Sequence, residues 1–302
     1  MRGQHSDARN ALQQLGPRIG FEKLFDLGRG LIGFLIQKVN RSEIGIQGIA
    51  INRPEFKLIE KLPPGGTEQV AETMLNAQFV NQGVNAILEA WLPGEEGGLA
   101  VAETLFGDFN PGGKLPITFP RHVGQVPVFY NCKPSGSRSH WFTDYVSEKV
   151  SPLYPFGHGL SYTSFDYTGL VIDRAQAGAG GNVDVSFKIS NCGAAAGDEV
   201  VQLYVHDEIA VSPRPVKELN GFARISLKPG ETRRVTFHLP VDSLAFYDEE
   251  LKLTLEPGRI EVMVGGSSED IRLRGEFEII GPRKILVKER VFVTPVQVEL
   301  PA

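Results

Sequence analysis

The second half of the chain alternates apolar and polar residues with a period of two. "NVDVSFKIS", "DEVVQLYVH", "RRVTFHLP" and "GRIEVMVGG" each put every other side chain on one face, and Gly, Pro, Asn and Asp separate them. This pattern predicts half-buried strands of an antiparallel sandwich. The tail "RKILVKERVFVTPVQVEL" adds two extended segments, and Pro295, lacking an amide hydrogen, favours an edge position there. The first half follows a different rhythm. "AILEAW" is an apolar run closed by Pro93-Gly94, and "EEGGLAVAETLF" then carries Leu99, Val101, Ala102 and Leu105 at helical spacing. A Pro-Gly-Gly loop follows and leads into "KLPITFP". Strand, turn, helix, loop and strand in that order predict an α/β layer with a parallel sheet. Glu95 and Glu96 fall at the start of the helix, where its dipole favours negative charge.

Upstream, "FEKLFDLGRGLIGFLIQKV" predicts an amphipathic helix interrupted by Gly28, Gly30 and Gly33. "EIGIQGIAI" predicts a short strand, and "TEQVAETMLNAQFV" a helix capped by Thr67. Between the two halves lies "SPLYPFGHGLSYTSFDY", in which His158 stands between Gly157 and Gly159. A neutral imidazole is a possible base or metal ligand. Glycines beside an aromatic cluster, however, predict a packed turn.

Composition narrows the function classes. The 302 residues are 41% hydrophobic and 22% charged with a formal charge of -5, which excludes neither fold class but argues against a nucleic-acid partner. The two cysteines, Cys132 and Cys192, have no ligand or disulfide-framework spacing and are expected as free thiols. No apolar run reaches membrane-spanning length and the first residues lack the pattern of a secretory signal, so no membrane partner and a cytoplasmic location are expected.

Nucleophile elbows, metalloprotease helices and phosphate loops are absent from the sequence, and its six histidines lack paired ligand spacing. Carboxylates and aromatic rings remain, the palette of sugar chemistry, in which two acids flank a bond and a ring supports the sugar's apolar face. "YNCKPSGSRSHWFTDY" gathers Tyr130, Lys133, Arg138, Trp141, Asp144 and Tyr145. Trp141, Asp144 and Tyr130 are the candidate sugar contacts, although a loop Trp packed between domains fits the pattern equally well.

Taken together, "AILEAWLPGEEGGLAVAETLFGDFNPGGKLPITFP", "YNCKPSG", "PLYPFGHGLSYTSFDY", "DEVVQLYVHDEIAVSPRPVKELNGFARISLKPGE" and "LAFYDEELKLTLEPGRIEVMVGGSSEDIRLRGEFEI" resemble the C-terminal half of a glycoside hydrolase family 3 enzyme of the bacterial β-xylosidase or β-glucosidase type. The resemblance implies a truncated α/β-sandwich domain over 49–125 and a linking region over 126–165. A fibronectin type III-like, immunoglobulin-like β-sandwich over 166–280 and an extended tail over 281–302 follow, while residues 1–48 stay unassigned. It also implies that His158 is structural and that no cofactor or metal is needed.

The same resemblance implies a retaining mechanism, with an aspartate nucleophile on a (β/α)8 barrel and a glutamate acid/base from the α/β domain. No barrel is matched in this chain. The glutamate position falls near Ile49 in "GIAINRPEFKLIEKLPPGG", with Asn52-Arg53 following and Glu55 nearby, and the strand after "EQVAETML" is shortened to "NAQFVNQG". No residue is therefore assigned as catalytic. Three readings stay open: part of a glycosidase completed by a separately encoded barrel, a non-catalytic carbohydrate-binding or scaffolding protein, or the remnant of a truncated gene. The expected partners are β-linked xylo- or gluco-oligosaccharides, with a barrel or a second copy of the chain as the protein partner.

Overall fold

The computed structural model describes residues 49–51, 86–91, 94–134, 149–283 and 285–300. The expected helices before residue 85, together with Trp141 and Asp144, lie outside these described residues. The chain falls into two compact units, Met1–Phe109 with Phe119–Val126, and Asn110–Thr118 with Pro127–Ala302.

In the first unit, β1 (Ile49–Ile51) pairs with β2 (Ala86–Leu88), and α1 spans Gly97–Phe106. The pair is antiparallel, with Ile49 opposite Leu88, where the α/β rhythm implies parallel neighbours. Antiparallel pairing sets its hydrogen bonds perpendicular to the strands and needs no crossover of fixed hand. Helix α1 ends at Gly107, whose φ of 81° fits the left-handed cap that glycine enters without a Cβ clash. Its buried residues are Gly97 and Thr104, whereas Leu99, expected on the inner face, is exposed. Thr104 tolerates burial because its hydroxyl donates to the Ala100 carbonyl at 2.8 Å.

The second unit is a β-sandwich. Its strands are β3 (Phe165–Ile172), β4 (Gln176–Ala177), β5 (Asn182–Asn191), β6 (Gly197–Asp207), β7 (Glu218–Leu227), β8 (Thr232–Pro240), β9 (Phe246–Tyr247), β10 (Leu253–Leu255), β11 (Gly258–Gly265), β12 (Ile271–Ile279), β13 (Ile285–Leu286) and β14 (Val296–Glu299). A five-stranded sheet in the order β4-β12-β11-β6-β7 faces a four-stranded sheet β14-β8-β5-β3, and β13-β10-β9 form a small third sheet. The period-two segments become β5, β6, β8 and β11. Their inward residues, Val183, Val185, Phe187 and Ile189 facing Val201, Leu203, Val262 and Val264, are fully buried. The core thus sits between two pleated faces, each contributing alternate side chains. Strand β14 takes the edge that Pro295 favours. Among the described residues no helix is long and apolar enough to cross a membrane.

Candidate functional site

Strand β6 departs from simple alternation. Gln202 and Tyr204 point away from the core yet are 3% and 0% exposed, because the turn after Tyr154 lies over them. Tyr204 donates to Gln202 Oε1 at 2.5 Å, and Gln202 Nε2 donates to the Gly266 carbonyl at 2.6 Å. Gly157 makes this approach possible. Its φ is +80°, and a Cβ there would stand 2.3 Å from Gln202 Oε1. The Leu115 amide donates to the His158 carbonyl and the Gly157 amide to the Leu115 carbonyl, both at 2.8 Å, so Asn110–Thr118 is bound into the sandwich unit. His158 stacks on Tyr154, with ring centroids 5.2 Å apart. Burial and the neighbouring Lys114 lower its pKa against the opposing pull of Asp270, leaving a neutral ring. This geometry is that of a packed turn, as the resemblance implies.

Beside this turn lies a charge cluster with one covered ion pair and one exposed one. Lys114 Nζ stands 2.9 Å from Glu199 Oε1, and both side chains are nearly covered. Tyr167 lies next to Glu199, and burial followed by that carboxylate pushes its hydroxyl well above the ordinary value. Arg272 is held by Asp270 with N–O distances of 2.5 and 2.9 Å. Two acids and two bases are paired here, which leaves none of the four as a free acid or base.

Tyr130 is placed in the same unit. Its ring stacks on Phe156 at 4.3 Å and meets Tyr204 edge-on at 5.8 Å, while its hydroxyl accepts from the Leu219 amide at 3.4 Å. One ring face is therefore occupied by protein. Among the described residues no group of three or more His, Cys, Asp and Glu side chains could hold a metal ion, and both cysteines are exposed and free.

Two carboxylates among the described residues are raised strongly by burial, Asp207 to about 6 and Glu89, which the sequence reading passed over. It follows β2 by one residue, so the β1–β2 register sets it just past Leu88, the partner of Ile49. Burial raises its pKa to about 7, against the opposing effect of a hydrogen bond from the Trp91 amide at 3.0 Å. Among the described residues no ion pair joins it. Trp91 has a φ of 50°, a left-handed conformation that costs a bulky residue about 1 kcal/mol or more, and its ring meets Phe119 edge-on at 6.3 Å. A carboxyl group poised near neutrality beside a half-buried indole can both transfer a proton and border a sugar. A Glu two residues before a Trp at the end of an apolar strand was the available signal, but its weight depends on burial.

Residues 67–162 match the glycosyl hydrolase family 3 C-terminal domain, and residues 199–268 match a fibronectin type III-like domain. A β-xylosidase of Formosa agariphila is 45% identical over 238 residues, 76% of this chain and 32% of that protein. A periplasmic β-glucosidase of Salmonella typhimurium is 41% identical over 206 residues, 66% of this chain and 27% of that protein. The chain thus spans about a third of the length of such relatives. A crystal structure of a β-glucosidase from Listeria innocua in complex with glucose superposes with a TM-score of 0.62 at 32% identity, covering 71% of this chain and 33% of that one.

Proposed function

The chain belongs to glycoside hydrolase family 3, whose members it matches over their C-terminal part, and from that premise we propose that it supplies the α/β wall and bracing sandwich of a β-glucosidase or β-xylosidase. The substrate is a terminal, non-reducing β-linked glucose or xylose. The nucleophile is an aspartate of a barrel outside these residues. Trp141 and Asp144, in the sequence segment that follows Tyr130, are the proposed sugar contacts.

Glu89 is the proposed proton carrier, and its pKa of about 7 is the observation that supports this role. In the first step Glu89 gives its proton to the glycosidic oxygen as the C1–O bond breaks and the barrel carboxylate bonds to C1. In the second, water attacks C1, releases the carboxylate and returns a proton to Glu89. A retaining pair of this kind has its carboxyl groups about 5 Å apart.

The test is hydrolysis of cellobiose, xylobiose and nitrophenyl glycosides by the chain mixed with a separately expressed family 3 barrel. The chain alone is expected to be inactive and the mixture active. Glu89→Gln in the mixture is expected to lose about 100-fold or more on the disaccharides and far less on nitrophenyl glycosides, whose leaving group needs little protonation. An inactive mixture that also forms no complex overturns the completed-enzyme reading. An active mixture indifferent to Glu89→Gln overturns only the role of Glu89. We place the chain in the cytoplasm, which cell fractionation tests against the periplasm.

A further inference from the structure

A cleft of about 690 Å³ opens at one end of the sandwich, between the loop that leads into β6 and the turn that joins β7 to β8. Its walls follow from the local sequence. Lys228-Pro229-Gly230-Glu231 is a type II turn, in which proline fills the first inner position and Gly230 takes a φ of +75°. The Glu231 amide closes it by donating to the Lys228 carbonyl at 2.9 Å. Buried Asn191 ties the two walls together. Its side-chain nitrogen donates to the Ala195 carbonyl at 2.9 Å and to the Leu227 carbonyl at 3.0 Å. Its backbone accepts from the Gly230 amide and donates to the Glu231 carbonyl, both at 2.9 Å.

The charged side chains that line the cleft are set by strand register and by the turn. Asp198 of β6 stands opposite Ser226 of β7, whose hydroxyl donates to Asp198 Oδ1 at 2.6 Å, and Arg224 Nε donates to Oδ2 at 2.8 Å. Glu231 accepts from the Lys228 amide at 2.9 Å and pairs with Arg233, which stands opposite the core residue Ile189. The bond from Ser226, then that from Arg224, holds the Asp198 carboxyl below the usual carboxylate range. The Lys228 amide, then Arg233, does the same for Glu231, so both groups are ionised acceptors at neutral pH. Lys228, exposed and joined to no acid among the described residues, brings three further donor hydrogens.

We propose that this cleft is a non-catalytic binding site of the sandwich unit for the end of a neutral saccharide, the choice of a sugar among hydroxyl-rich molecules resting on the glycosidase reading above. Its volume lies within the range of about 300–1,000 Å³ typical of small-molecule sites. Two carboxylates and two cations line it, so a ligand of either net sign meets a like charge. A row of hydroxyls avoids that conflict. Each hydroxyl gives a hydrogen to a carboxylate oxygen and takes one from Lys228 or Arg233. The acceptors have room, since an ionised carboxyl accepts at about four sites. Glu231 fills one with the Lys228 amide and another with Arg233. The walls are held before any ligand arrives, which lowers the ordering cost of binding. No aromatic ring lines the cleft, so no ring face supports the sugar, and the expected dissociation constant is about 1 mM.

Backbone amide NMR of the full chain, titrated with cellobiose and with xylobiose, tests the site. Saturable shifts are expected within 196–198 and 226–233, with a dissociation constant of about 1 mM. Lys228→Ala and Glu231→Gln are each expected to weaken binding about tenfold, the loss of one charged hydrogen bond. Trp141→Ala is expected to leave these shifts in place, which separates the cleft from the sugar contacts proposed above. Sodium sulfate at the same concentration is expected not to produce them. Absence of the shifts with both disaccharides overturns the proposal, as does unchanged affinity in either cleft variant. Loss of the shifts in Trp141→Ala, or equal shifts with sulfate, overturns it too. Binding is read here on the chain alone and without turnover, so an inactive mixture with the barrel and an unresponsive cleft are separate failures.

Discussion

Glu199 and Glu89 are both shielded from water, in different units of the chain, and the protein treats them in opposite ways. Glu199 meets Lys114 at 2.9 Å. Among the described residues Glu89 meets one backbone amide, and burial carries its pKa to about 7. A carboxylate removed from water either finds a cation or takes up a proton. The paired group keeps its charge and has no proton to offer. The one without a cation among the described residues costs stability and becomes available for proton transfer.

Breaking the pair is the largest test of that contrast. Lys114→Met leaves Glu199 buried without its cation and is expected to destabilise the sandwich unit by about 3 kcal/mol, read as a lowered denaturation midpoint. Lys114→Met combined with Glu199→Leu is expected to recover most of the loss, since it removes both charges. If the single variant is as stable as the parent, the pair does not hold the turn.

Gly157→Ala comes next, at about 2 kcal/mol, because a Cβ both opposes the positive φ and strikes Gln202. Its effect should appear alongside a change in the near-ultraviolet signal of the Tyr130, Phe156 and Tyr204 cluster. Retention of the parent's midpoint would show that the turn slides away from β6 without penalty.

The smallest effect sharpens the other side of the comparison. Glu89 has an unfolded-state pKa of 4.5 and a folded value of about 7. Its contribution is complete below about pH 4.5 and is lost as pH rises to about 7. Glu89→Gln, which keeps the neutral shape at every pH, is expected to remove that slope and to stabilise the chain by ~1 kcal/mol above pH 7, a figure already discounted for the group's partial exposure. An unchanged pH dependence in thermal unfolding would mean that Glu89 titrates as an ordinary surface acid.

Much of the sandwich was legible because alternation is a local property. "NVDVSFKIS" becomes β5 with every second side chain buried, and "GRIEVMVGG" becomes β11 in the same way. Strand β6 was legible as a strand only. "DEVVQLYVH" reads as half-exposed, yet Gln202 and Tyr204 are covered by residues far away in the chain, and no window of neighbouring residues contains that information. Helix α1 was predicted with its position right and its inner face wrong at Leu99, since a hydroxyl returned to its own helix can be buried where a leucine is left out. The candidate site was the least legible part. Tyr130 was chosen for its place in an aromatic loop and is half covered by Phe156, whereas Glu89 was read as one polar residue at the end of an apolar run.

By itself the sequence determined the two domain types, the strands β5, β6, β8 and β11 and the packed turn around His158, because each depends on periodicity or on the geometry that glycine and proline impose. Tertiary structure alone decided which charges are paired and which carboxyl groups burial carries toward neutrality. Those properties depend on the removal of water by residues distant in sequence, and the energy of a charge depends on what surrounds it in space.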